Sequence, residues 1–358
     1  MEPINVQDYH LLARERLDPM VYDYIAGGAG DELTVEQNRL AWDSVRLNPR
    51  VLVDVSQLDL STTVLGQKVN MPVLIAPCGV NALAHPDGEW AVSRAAATEG
   101  IIYVVSTMSN YSMEEIAGAA AGARWFQLYC FRDRGVTRGL VERAEAAGYT
   151  ALCVTVDVPF LGVRERDKRN RFGMPEELRL KNLEQAGADF MAQSKSSSSL
   201  NQYVADQFDP SLTWELLEWL RELTTLPIVL KGILNAADAR LAVEHGVNGI
   251  IVSNHGGRQL DGAVSSCEAL PTVIEAVGGA TEILVDGGIR RGTDVLKALA
   301  MGAQAVLIGK PYLWGLAVDG ESGVRDVLGM LRSELSTSMA LAGCPNIVGI
   351  DHGLIVQP

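Results

Sequence analysis

The sequence predicts an α/β fold, a (β/α)8 TIM barrel with a helical lid in front of it and a long loop after its fourth strand. Three observations predict it. Eight short apolar, β-rich runs recur along the chain, helix-like segments alternate with them, and several of those segments stop at a glycine. Continuous apolar runs suit strands buried on both faces, as parallel strands are. Eight strand–helix units close a barrel of about 250 residues.

The runs are 72–76, 101–106, 124–128, 151–155, 227–231, 249–253, 282–286 and 305–308. Helical segments rich in Ala, Glu, Arg and Leu fall between them, among them 87–99, 136–147, 236–245 and 293–300. Gly100, Gly148, Gly246 and Gly302 stand where these should end, since glycine tolerates the left-handed turn that stops a helix. A doubly wound open sheet is the rival, but it would show a glycine fingerprint after its first strand. Here Pro77-Cys78-Gly79-Val80-Asn81 follows instead.

We read one domain over 1–358. Residues 1–71 hold two helical stretches around Gly27-Gly28-Ala29-Gly30 and form the lid; 72–320 form the barrel; 321–358 form a C-terminal helix and tail. The insertion at 157–213 is far longer than an ordinary βα loop. Its low-complexity middle, 193–199, is either a mobile gate or an insertion without a role.

Composition narrows the function. Of 358 residues, 47% are apolar and 21% charged, enough for a sizeable core. Thirty Lys and Arg against 44 Asp and Glu leave a net charge of −14, the wrong sign for a nucleic-acid partner. The five cysteines, 78, 130, 153, 267 and 344, are scattered and lack a CxxC pair. We therefore expect neither a disulfide framework nor a metal site, and a reducing, cytoplasmic setting. No secretory pattern opens the chain, and no apolar run approaches the roughly 18 residues of a membrane span.

In a barrel enzyme the carboxyl ends of the strands build the site. Read in order, these ends carry Pro77; Ser106; Gln127 and Tyr129; Thr155 and Asp157; Lys231; Ser253 and His255; Asp286; and Gly309. The last two strands continue into Asp286-Gly287-Gly288-Ile289-Arg290 and Gly309-Lys310. Backbone N–H groups and two cations at this position suit a phosphate. His255 lies in Ser253-Asn254-His255-Gly256-Gly257-Arg258-Gln259-Leu260-Asp261-Gly262. A histidine base beside Arg258 suits proton removal from a substrate anchored by its carboxylate, and Arg164 would complete the fork. Lys231 has two readings: a Schiff-base lysine, or a cation that neutralises a developing anion.

These residues resemble the FMN-dependent 2-hydroxy-acid oxidases and dehydrogenases, from about Asn5 to Cys344. The motif at 253–262 is the most specific match. Gln127-Leu128-Tyr129, Thr155-Val156-Asp157-Val158-Pro159 and Leu230-Lys231-Gly232-Ile233 support it. The resemblance implies FMN as cofactor and an (S)-2-hydroxy acid (L-lactate, glycolate or longer) as substrate. It implies O2 as acceptor, reduced to hydrogen peroxide, with a dehydrogenase using a quinone or protein acceptor as the alternative. A homotetramer is the expected assembly.

Residue by residue, the resemblance makes His255 the base, with Asp157 raising its pKa. Arg164 and Arg258 would clamp the carboxylate, and Tyr24 and Tyr129 would hydrogen-bond the substrate. Lys231 would stabilise the reduced ring. Pro77, Cys78, Gly79, Ser106, Gln127, Thr155 and Ser253 would meet the ring. Asp286 would meet the ribityl chain, and Gly287, Gly288, Arg290, Gly309 and Lys310 the phosphate end. Three positions depart from the oxidase pattern. Lys310 stands where many relatives have arginine, which keeps the charge but not the bidentate phosphate geometry. Met108 replaces a tryptophan of plant-like glycolate oxidases and should leave room beside the substrate Cα. Gly79 replaces the usual alanine and should widen the site near the ring.

Overall fold

The structure is a computed structural model that describes residues 2–175, 177–184 and 207–356. All eight expected strands form: β1 Val73–Ile75, β2 Tyr103–Ser106, β3 Arg124–Leu128, β4 Leu152–Thr155, β5 Ile228–Ile233, β6 Gly249–Val252, β7 Glu282–Asp286 and β8 Ala305–Ile308. Each pairs in parallel with the next, and β8 pairs with β1 to close the barrel. The strands are buried along nearly their whole length because both faces meet protein. Leu74, Val104, Trp125, Val229, Ile251 and Leu307 fill the interior. Residues of the other register, such as Val105, Phe126 and Val154, pack under the helices.

Helices Gly88–Glu99, Arg134–Ala146, Ala236–Glu244 and Gly292–Ala300 cover the outside. The four expected glycine stops all have positive φ: 65° at Gly100, 78° at Gly148, 65° at Gly246 and 108° at Gly302. Strand β5 overruns its expected end by two residues. The register shifts between Lys231 and Ile233, and Gly232 takes φ +114° at that irregularity. Lys231 is therefore inside the strand rather than at its tip.

Three helices precede the barrel, where the sequence suggested two: α1 Val6–Arg16, α2 Pro19–Ala26 and α3 Leu33–Ser44. Asp18 accepts from Met20 N at 2.8 Å, and Pro19 opens α2, so the first stretch breaks there. Helix α1 packs on the long C-terminal helix Lys310–Ala342, with Tyr9 Oη donating to Asp326 at 2.8 Å. That helix kinks at Asp319 and Gly320. Helices α2 and α3 reach the barrel mouth, where Asp261 accepts from Asp31 N and Thr34 N, both at 2.9 Å.

An antiparallel hairpin, Thr62–Val64 with Gln67–Val69, was not anticipated. Its Leu65-Gly66 turn has φ +47° and +73°. Val64 and Val69 join the barrel interior, and Leu65 N donates to Glu282 at 2.9 Å. The hairpin thus plugs the amino end of the barrel and leaves the other end for a site.

The long segment after β4 is tied down at both described ends. Gly30 N donates to Val163 O at 2.9 Å, and Asp209 N to Cys130 O at 3.0 Å. The serine-rich stretch 193–199, read as a gate or a bystander, lies outside the described residues. Among the described residues no helix is long and apolar enough to cross a membrane.

Candidate active site

A cavity of about 1480 Å³, including its opening to solvent, occupies the carboxyl end of the barrel. Every site residue singled out from the sequence lines it except Asp157, Gln127, Thr155 and Ser253. Those four lie behind the wall: Asp157, Ser253 and Gln127 hold His255, Lys231 and Ser106, which line it, and Thr155 holds Gln127.

His255 Nδ1–H donates to Asp157 Oδ1 at 3.0 Å, which fixes the tautomer and leaves Nε2 bare as the proton acceptor. His255 itself has φ +59°, a costly left-handed geometry for a side chain of this kind, held by a 3.0 Å bond from its N–H to Ser253 Oγ. Gly232 makes room for the acid: a Cβ there would stand 2.6 Å from Asp157 Cβ. Asp157 pulls the His255 pKa up as expected, but the net shift is downward. Burial lowers it, Lys231 adds to that, and the opposing pull of Asp157 does not restore it. His255 is therefore neutral at neutral pH, as a base must be.

Lys231 Nζ donates to Ser253 Oγ at 2.9 Å and pairs with Asp286 Oδ2 at 3.2 Å. Burial alone would lower its pKa, but Asp286 and Asp157 outweigh burial and hold it above the ordinary lysine value. A lysine held as a cation is no imine-forming nucleophile, so the Schiff-base reading loses its support. The charge favours the cation reading.

Arg164 and Arg258 face the cavity from the insertion and from the 253–262 motif. Arg258 Nη1 donates only to backbone carbonyls, Tyr24 at 2.7 Å and Gly27 at 3.0 Å, and its guanidinium lies 5.2 Å over the Tyr24 ring. Burial, then the charge of Arg164, pushes Arg258 down to about 10. Arg164 Nε is buried without a partner. At the far end Arg290 lies 4.8 Å over the Trp314 ring, and burial with Arg39 pushes it down to about 10. Lys310 donates to Ala26 O at 2.7 Å, and burial with Arg258 and Arg290 drives it well below its usual value. Among the described residues none of these four cations has a carboxylate partner. Crowded cations without a counter-charge make a site for anions, one pair at each end.

The residues fit FMN. Asp286 Oδ1 is buried without a partner, next to its bond with Lys231, and can meet a ribityl hydroxyl. Gly287 and Gly288 have φ +92° and +81°, and a Cβ on Gly288 would stand 1.9 Å from Asn38 O. This loop is held by Trp42 Nε1, which donates to Gly287 O at 2.8 Å. Gly309 precedes the helix that starts at Lys310, so free N–H groups face the same end. Under the floor, Gln127 Nε2 donates to Thr155 Oγ1 at 3.0 Å, and Ser106 Oγ to Gln127 Oε1 at 3.3 Å.

Gly79 does not widen the site. A Cβ there would stand 2.9 Å from Met108 Cβ and 3.2 Å from Met108 O, so Met108 already fills the space of the missing methyl. Sequence reasoning also missed residues from outside the strand ends. Phe208 lines the cavity and stacks on Tyr129 at 4.5 Å. Asn38 exchanges 2.8 Å hydrogen bonds with Asn254, tying α3 to the motif. No local pattern marks either, because both arrive by tertiary packing. Much of the motif proves structural: Gln259 Nε2 donates to Asp157 O at 2.8 Å, and Asp261 holds α3.

Comparisons with known proteins give the family. The model of the FMN-dependent dehydrogenase family matches residues 13–357. L-lactate oxidase of Nostoc sp. (strain PCC 7120) is 53% identical over 357 residues, 99% of this chain and 98% of that protein. Glycolate oxidase of Spinacia oleracea is 48% identical, covering 99% of this chain and 96% of its own. The structure of a soluble mutant of the membrane-associated (S)-mandelate dehydrogenase from Pseudomonas putida matches with a TM-score of 0.91. It shares 43% identity and covers 99% of each chain. Mandelate oxidase with (S)-2-phenylpropionate matches at 0.89, 42% identical, covering 99% of this chain and 98% of that one. The chain belongs to the FMN-dependent dehydrogenase family.

Proposed function

We propose that this protein oxidises (S)-2-hydroxy acids to 2-oxo acids and passes the electrons to O2, forming hydrogen peroxide. The observation that carries this is the neutral His255 beside two arginines without a carboxylate partner. Arg164 and Arg258 bind the substrate carboxylate, which fixes the face that Cα presents. Tyr24 and Tyr129 line the same space. His255 Nε2 takes the substrate proton, and Asp157 stabilises the imidazolium that results. FMN bound here would supply the acceptor for the two electrons and the second hydrogen that the substrate gives up. Lys231 supplies a fixed positive charge where negative charge develops. Arg290, Lys310, Gly288 and Gly309 would hold the FMN phosphate, and Asp286 its ribityl chain.

The substrate class includes L-lactate and glycolate, consistent with the activities named for the Nostoc and Spinacia relatives. A second reading is a dehydrogenase that passes electrons to a quinone or protein acceptor. It is favoured by the likeness to (S)-mandelate dehydrogenase. An oxygen electrode decides between them. The oxidase reading expects one O2 consumed and one peroxide formed per 2-oxo acid; slow oxygen uptake with fast turnover on a dye acceptor would replace it by the second. A cytoplasmic setting is supported by five free cysteines. A homotetramer is proposed on the family resemblance alone; sedimentation at enzyme concentration tests it.

A further inference from the structure

Glu89 is buried with no exposed surface, yet the proposed reaction does not use it. It stands in the first turn of the helix Gly88–Glu99, behind the cavity wall. Its Oε1 accepts two backbone N–H groups at 3.1 Å, one from Asn81 and one from Asn110. Those amides belong to two different loops, one after β1 and one after β2. One oxygen atom therefore pins both loops to each other. Its Oε2 is buried without a partner.

The pinned segments are the ones that face the site. Gly79, Val80 and Met108 line the cavity. Val80 sits at φ +52° and ψ +46°, left-handed geometry that a β-branched residue adopts only under constraint. The constraint is visible on both sides of it. Val80 N donates to Met108 O at 2.9 Å, and the next amide, that of Asn81, is the one Glu89 holds. Ala82 N donates to Asn110 Oδ1 at 3.0 Å. The same pinning presses Gly79 against Met108, with no space for a methyl group between them. Asn182 grips the Met108 loop from the opposite side, donating to Ser109 Oγ at 2.8 Å and accepting from Met113 N at 2.7 Å.

Charge and surroundings suit a buried acceptor. Burial pushes the Glu89 carboxyl up to about 7, against the lowering effect of the backbone N–H groups around it, those of Asn81 and Asn110 among them. The titratable groups that feel its charge are tyrosines, Tyr103 and Tyr111 foremost. The N-terminal end of a twelve-residue helix favours negative charge there. What the pin requires is an acceptor oxygen at this reach, not a particular side-chain volume.

We propose that Glu89 is a positioning residue that fixes the wall formed by Gly79, Val80 and Met108, and so sets which Cα substituents of the substrate fit. The specificity part rests on the 2-hydroxy-acid reading; the pin itself does not. Two variants of the FMN-loaded protein separate hydrogen bonding from packing. Glu89→Met keeps the shape without an acceptor, and Glu89→Gln keeps one acceptor oxygen. Hydrogen exchange should quicken by about tenfold or more at the amides of Asn81 and Asn110 in Glu89→Met, with β1–β8 unchanged. Glu89→Gln should behave as the parent protein does. Per bound flavin, the ratio of kcat/KM for (S)-mandelate over glycolate should change by about fivefold or more in Glu89→Met only. Mere destabilisation would scale both substrates alike. Should Glu89→Met not fold, Glu89→Asp repeats the test, because a side chain one methylene shorter cannot reach both amides. Unchanged exchange at the two amides overturns the pin, and an equal loss on both substrates overturns its role in specificity. If the parent protein oxidises neither acid, the activity reading falls, while the exchange data still decide the pin.

Discussion

At the scale of single residues, the site works by opposing burial to charge. His255 is kept neutral because burial outweighs the carboxylate beside it. Its pKa lies below the ordinary 6.5, so the base is competent above that value and is lost as pH falls through the lowered one. We predict that kcat/KM is flat at neutral pH and declines on the acid side with an apparent pKa below 6.5. Asp157→Asn removes the one carboxylate that raises it, so the decline should move to still lower pH. Replacing the base itself, His255→Gln, should cost about 10²–10⁴ in kcat with FMN retained, measured by flavin-normalised turnover. Arg258→Lys keeps a charge but loses the fork, so KM should rise by about tenfold or more. The identities of these residues were legible because a barrel puts its chemistry at strand ends. The direction of the His255 shift was not, since sequence names the partner Asp157 but not the depth of burial.

At the scale of elements, glycines decide where backbones can meet. The stops at Gly100 and Gly148 were legible because each follows a helical pattern. Gly232 and Gly288 were visible as letters but not as contacts. Their constraints come from Asp157 and Asn38, which are distant in sequence. Gly288→Ala would place a methyl group 1.9 Å from the α3 backbone. It should cost about 1–3 kcal/mol of stability and weaken FMN binding, read by thermal melting and by flavin fluorescence on dilution. The plugging hairpin escaped notice because its strands are three residues each and its face is completed only inside the barrel. The break between α1 and α2 is carried by Asp18-Pro19, a cap followed by a first-turn proline, which the two-stretch expectation left out.

At the scale of the whole molecule, the lid, the insertion and the barrel meet around one anion-seeking cavity. Arg258 and Lys310 both donate to carbonyls at the end of α2, so the lid is fastened by the cations that await ligands. Cofactor binding should therefore stabilise the fold. Adding FMN at about 100 times its Kd should contribute about 2.7 kcal/mol and raise Tm, and Lys310→Met should lose much of that gain. The barrel was legible because eight apolar runs and their helices repeat. Phe208 was not, because it lies far in sequence from every strand end and comes to Tyr129 only through tertiary packing. The central claim is that a 2-hydroxy acid is held by its carboxylate and gives its proton to His255. Anaerobic stopped-flow mixing of the FMN-loaded protein with L-lactate, and separately with its methyl ester, tests that claim most directly. The account predicts rapid loss of flavin absorbance with the acid, little with the ester, and slowing by about 10²–10⁴ in His255→Gln. Equal bleaching by acid and ester, or none with any 2-hydroxy acid, would contradict it.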